Sequence, residues 1–74
     1  MMAEIKTRRQ CEVVRLVAEG LNNYVIAERL GITSGCLERH LMNIYRELDY
    51  DARYVNPRAR LVHDYLTGEL KLRY

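Results

Sequence analysis

The sequence predicts an all-α domain of four short helices, and three observations carry that expectation. Apolar residues recur at helical spacings of three and four in four separate stretches. Each stretch follows a residue that caps helix N-termini (Thr7, Asn22, Thr33 or Asn56), and three end at a glycine, positions 20, 31 and 68. The composition, 49% hydrophobic and 30% charged, belongs to chains that fold rather than stay disordered. At 74 residues the chain is expected to be one domain, 1–74, with no room for a second.

Residues 1–6 read as a short arm. Thr7 and Gln10 give the T-x-x-Q pattern of a capping box, which opens a first helix over about 8–19. Val13, Val14, Leu16, Val17 and Ala18 supply its apolar face, and Gly20 stops it. Asn22 caps a short second helix carried by Val25, Ile26, Ala27 and Leu30 and ended by Gly31. Thr33 caps a third, in which Leu37, Leu41, Ile44 and Leu48 recur at spacings of four, three and four. Residues 49–56 hold no sustained helical period. Asn56-Pro57 is an N-cap followed by proline at the first helical position, so a fourth helix spans about 57–67, with Leu61, Val62, Tyr65 and Leu66 at helical spacing and Gly68 beyond its end. The tail, 69–74, alternates Leu70, Leu72 and Tyr74 with charges, the pattern of an edge strand, although a terminus of six residues is more often frayed chain.

Residues 22–48 therefore form two helices joined by a glycine-containing turn, a helix-turn-helix. In such a unit the first helix braces the second, whose N-terminal half fits the DNA major groove. The face opposite the Leu/Ile stripe of the third helix carries Ser34, Gly35, Glu38, Arg39, Met42 and Arg46, a mixed surface available for contact.

Charge and composition narrow the function. A net charge of +2 and a pI of 8.7 permit a nucleic-acid partner without demanding one. Ten Arg against two Lys suit planar, bidentate contacts to phosphate or guanine. No apolar run is long enough for a signal-peptide core or a membrane span, so a cytoplasmic protein without a membrane partner is expected. Cys11 and Cys36 lack the number and spacing of a disulfide framework and are expected to be reduced. Cys36 and His40 lie four apart and, with Cys11 and His63, would complete a Cys2His2 set, but those two are single residues far apart in the chain, and no metal is expected. No Ser/His/Asp set, acid pair or Gly-rich phosphate loop is present, so neither catalysis nor a cofactor is expected.

Several blocks then match one pattern in order. Thr7-Arg8-Arg9-Gln10-Cys11-Glu12-Val13-Val14 follows T-x-R-E-x-E-V-L, with Gln10 in place of the acid. Gly20-Leu21-Asn22-Asn23-Tyr24-Val25-Ile26-Ala27 follows G-x-S-N-x-E-I-A, and residues 27–32 follow A-x-x-L-x-I. Cys36-Leu37-Glu38-Arg39-His40-Leu41-Met42-Asn43-Ile44 follows T-V-K-x-H-x-x-N-I, and Leu48-Asp49-Tyr50-Asp51-Ala52-Arg53 follows L-G-V-x-x-R. Together they resemble the LuxR/GerE-type helix-turn-helix family, the DNA-binding domain of many bacterial response regulators and quorum-sensing receptors.

The resemblance implies a four-helix DNA-binding domain whose third helix reads base edges through Ser34, Glu38, Arg39 and Met42. It implies backbone contacts from Thr33, His40, Asn43, Arg46, Arg8, Arg9 and Arg53, although the arginines equally suit surface pairing with Glu12, Glu47 or Asp51. The family has Lys where this chain has Glu38 and Thr where it has Cys36. A carboxylate opposes phosphates, yet it accepts a hydrogen bond from cytosine N4. About five extra residues, 54–58, delay the fourth helix relative to the family. That helix commonly joins two domains, so Leu61, Val62, Tyr65 and Leu66 are expected either to seal the core or to form a homodimer interface. The expected function is a stand-alone transcriptional regulator of double-stranded DNA, without a sensor or receiver domain. The alternative is a protein-interaction module of the same fold that sequesters a related regulator or contacts RNA polymerase.

Overall fold

The computed structural model describes residues 3–74. In chain order the elements are β1 (Ala3–Ile5), α1 (Arg8–Ala18), α2 (Asn23–Leu30), α3 (Ser34–Glu47), α4 (Pro57–Leu66) and β2 (Leu70–Leu72). All four helices start at the residues the sequence marks as caps. Thr7, Asn22, Thr33 and Asn56 each accept a hydrogen bond from the N–H three residues on, at 3.0–3.2 Å, satisfying donors that a helix leaves unpaired at its start.

Three of the four helix stops share one chemistry. Gly20, Gly31 and Gly68 take positive φ, where an L side chain is strained. After α3 the same conformation falls to Asp49, at φ 59. The Asp49 N–H donates to the Arg46 carbonyl at 3.1 Å and that of Tyr50 to the Tyr45 carbonyl at 3.0 Å, so a Schellman motif closes the helix without glycine.

The core lies where α1 packs on α3 and α4 while α2 packs on α3. Val13, Val14 and Val17 of α1, Ile26 of α2, Leu37, Leu41 and Ile44 of α3 and Leu61 of α4 are each at most 4% exposed. Burial of side chains this size stabilises the fold by roughly 1.5–3 kcal/mol apiece. Gln10 departs from the capping-box expectation in one half. Thr7 accepts from its N–H, but its amide turns inward and Nε2 donates to Glu47 Oε1 at 3.4 Å. The first turn of α1 there meets the last turn of α3, so the amide N–H pairs with the Glu47 carboxylate, while Gln10 Oε1, which a full capping box would aim at the Thr7 N–H, is buried without a partner among the described residues.

Both chain ends correct the sequence reading. The arm and the tail pair as a two-stranded parallel ladder, Ala3 opposite Leu70, Glu4 opposite Lys71 and Ile5 opposite Leu72; Met1 and Met2 lie outside the described residues. The tail is ordered because alternation turns Leu70 inward beside Ile5, at 4% and 0% exposure. Ile5 O accepts from the Arg73 N–H at 3.0 Å and from the Cys11 thiol at 3.4 Å. Leu61 is the second correction. It is fully buried against the core and offers nothing to a partner, whereas Val62 and Tyr65 are half-buried and Leu66 is 69% exposed.

Candidate nucleic-acid interface

α3 is two-sided. Leu37, Leu41 and Ile44 point into the core, and Ser34, Gly35, Glu38, Arg39, Met42 and Arg46 stand in solvent. The helix begins free of acid in its first turn, and Thr33 caps it through the Cys36 N–H, so the exposed end carries the positive pole of its dipole. A Cβ at Gly35 would meet no atom within 4 Å, so packing does not require that glycine. Met42 is 57% exposed, a large apolar side chain between charged neighbours.

The arginines of the sequence reading fall into two groups. Among the described residues, Arg39 and Arg46 make no ion pair or side-chain hydrogen bond, and their guanidinium groups are open. The others are engaged. Arg9 lies 3.8 Å from Glu12, Arg8 sits over the Tyr74 ring at 5.3 Å, and Arg53 binds Asp51 at 2.8 Å while lying over Tyr54 at 5.4 Å. The hydrogen bond from Arg53 holds the Asp51 carboxyl below its ordinary value and raises Arg53 in turn. His40 and Asn43 are half-buried, and His40 Nε2 lies 3.7 Å from Cys36 Sγ. Cys11 is buried on α1 and His63 exposed on α4 beside Asp64, so the four Cys and His residues of the sequence reading sit on three elements, with Cys36 and His40 alone sharing one.

Two connections between α4 and the rest escaped the sequence. Arg58 Nη1 donates to Asn23 Oδ1 at 2.6 Å and Nη2 to the Leu21 carbonyl at 2.8 Å. Tyr50 O–H donates to Asp64 Oδ2 at 2.7 Å, and Asp64 also meets Arg60 at 3.2 Å and His63 at 3.1 Å. Burial and the hydrogen bond to Asp64 push the Tyr50 phenol well above its ordinary value. Asp64 itself is pushed up by burial, but its bonds from Tyr50 and His63 and the Arg60 charge outweigh that and hold it low. These pairs are 14 to 37 residues apart in sequence, so no local pattern announces them.

No helix among the described residues is long and apolar enough to cross a membrane. The GerE family, described as bacterial regulatory proteins of the luxR family, matches residues 6–55, from the end of β1 through the loop before α4. Over 49 residues the chain is 37% identical to the transcriptional regulatory protein DegU of Brevibacillus brevis, covering 66% of this chain and 21% of DegU. It thus spans about a fifth of that relative's length. No solved structure matches. With the four expected helices in place and the family pattern running through α1, α2 and α3, the chain belongs to the luxR family of bacterial regulatory proteins.

Proposed function

We propose that this domain is a transcriptional regulator that binds duplex DNA with α3 in the major groove. The observation that carries the proposal is the open face of α3. Ser34, Glu38, Arg39 and Met42 stand exposed over three buried anchors, and the Arg39 guanidinium has no partner among the described residues. An unpaired Arg is matched to guanine O6 and N7, Met to a thymine methyl and Glu38 to cytosine N4. Family membership and the name of DegU support the same reading.

Thr33, His40, Asn43 and Arg46 flank that face and are assigned to the DNA backbone. Arg8, Arg9 and Arg53 join them by exchanging their present partners, all solvent-exposed and worth little, for phosphate. The work is binding rather than catalysis, carried out in the cytoplasm and without a cofactor. Two copies reading symmetric half-sites gain affinity and register, and α4 supplies the contact through Val62, Tyr65 and Leu66. Leu66→Glu is expected to abolish self-association in sedimentation while circular dichroism stays unchanged; a wild type that is monomeric at high concentration and on DNA overturns the dimer.

The deciding experiment is a gel shift on duplexes selected from a random pool. Arg39→Ala is expected to cost ~1–3 kcal/mol on the selected duplex and little on random DNA. Equal losses on both would move Arg39 to the phosphates, and no selected duplex at all would overturn the function.

A further inference from the structure

We infer that Arg58 is a positioning residue for DNA reading, tying the first turn of α4 to the start of the helix-turn-helix and so fixing the setting of the α3 face. The inference rests on the proposal that α3 reads DNA.

Arg58 grips both neighbours of the α2 cap. Asn22 caps α2 by accepting from the Val25 N–H at 3.0 Å, and Arg58 binds Leu21 on one side of it and Asn23 on the other. The two acceptors need two donors in a fixed plane, which a guanidinium supplies and an ammonium does not. Leu21 O lies in the linker between α1 and α2, where no helix or strand partner exists for it. The same side chain walls a cleft with Asn23, Glu38, Leu41, Met42 and Tyr45, so the strut borders two of the residues proposed for base contact, Glu38 and Met42. Its charge is felt on α3: burial raises the Tyr45 phenol, and Arg58 opposes that rise. Both terminal nitrogens are occupied within the protein, which separates Arg58 from the open Arg39 and Arg46. Arg58 lies beyond the family match, which ends at residue 55, so this link belongs to the segment that follows the family pattern.

The test uses the full chain and a duplex selected by the wild type from a random pool. Arg58→Lys keeps the charge and loses the fork. It is expected to weaken the selected duplex about tenfold, the equivalent of one charge-assisted hydrogen bond. Affinity for random DNA and the salt slope are expected to stay unchanged. Asn23→Ala should produce a similar loss, and the double variant no more than the worse single one, because both remove one contact. In free protein the Val25 amide should exchange faster in Arg58→Lys, with circular dichroism unchanged.

Three outcomes overturn the inference. Additive losses from Arg58→Lys and Asn23→Ala mean that the pair does not act as a unit. A lower Tm with unchanged affinity for the selected duplex leaves Arg58 a structural residue alone. An Arg58→Met variant that weakens selected and random DNA equally and lowers the salt slope by about one unit makes it a phosphate contact. A wild type that selects no duplex removes the DNA reading itself, whereas selection by the wild type and equal selection by Arg58→Lys removes only the strut.

Discussion

α3 is anchored by Leu37, Leu41 and Ile44, none more than 4% exposed, and by α1 behind them, whereas α4 sends a single fully buried side chain, Leu61, into the same core. What α4 lacks in apolar anchorage it gains in directional links, from Arg58 to Leu21 and Asn23 and from Asp64 to Tyr50. Apolar burial is non-directional and large, so it fixes that the domain folds. Hydrogen bonds contribute about 1 kcal/mol each and depend on angle, so they set how one element is oriented on another. The boundary between the two modes falls near residue 55, where the family match also ends. The family portion thus holds most of the buried core, and the portion after it adds Leu61 and Leu70 and is tied on by directional bonds.

The largest effect that breaks this contrast should come from the α3 anchors. Ile44→Ala removes a completely buried side chain and is expected to cost about 2–5 kcal/mol. In a domain this small that is most of the total stability, and urea unfolding should show little native baseline. Leu66→Ala on α4, at 69% exposure, should shift the urea midpoint by less than ~0.5 kcal/mol equivalent. Comparable losses at the two sites would mean that α4 is anchored as α3 is.

A smaller effect belongs to the Tyr50–Asp64 link. Tyr50→Phe deletes the donor, keeps the ring and is expected to cost about 1 kcal/mol. The link weakens at both ends of the pH range, for opposite reasons. Asp64 is depressed, so its contribution is complete above the ordinary carboxylate range and is lost as pH falls through its folded value. Tyr50 is raised, so its contribution is complete below the ordinary tyrosine value of 10.0 and is lost as pH climbs above it. In Tyr50→Phe the alkaline loss should shrink relative to wild type; an unchanged alkaline limb in thermal melts would detach stability there from this phenol.

How much of this was legible in the sequence follows the same division. Caps and stops are local, so Thr7, Asn22, Thr33 and Asn56 announced the four helices, and the Leu37, Leu41, Ile44 spacing announced the buried side of α3 and by subtraction its open face. The tail's alternation was legible but its partner was not: β1 and β2 are three residues each at opposite ends of the chain, and no local pattern pairs them or brings Ile5 and Leu70 into one core. Leu61 resembled its neighbours on α4 because helical spacing gives a face its width but not which of its members is deepest. The Arg58 fork was invisible for a different reason: an Arg in the first turn of a helix is ordinary, and its partners lie 35 and 37 residues earlier.

The smallest effect sharpens the contrast from inside the family portion, at the one stop that departs from the pattern. Asp49 holds φ 59 where the family pattern has glycine, and it does so at the C-terminal end of α3, where the helix dipole disfavours a negative charge. The left-handed conformation costs a non-glycine residue of order 1 kcal/mol, somewhat less for Asp, and the charge adds a few tenths. Glycine would return part of this through the greater freedom of its unfolded chain. Asp49→Gly is therefore expected to stabilise the domain by about 0.5–1 kcal/mol, raising Tm by roughly 2–8 °C for a chain of this length. Asp49→Asn separates the two causes, because it removes the charge and keeps the strain, so it should recover only the smaller share. Gly31→Ala supplies the mirror case: it places a Cβ at φ 68 with no atom within 4 Å to clash, so any loss there is conformational alone. If Asp49→Gly lowers Tm instead, the Asp49 side chain is doing something for the α3 terminus that its backbone geometry does not explain, and the Schellman closure would have to be reread as a polar one.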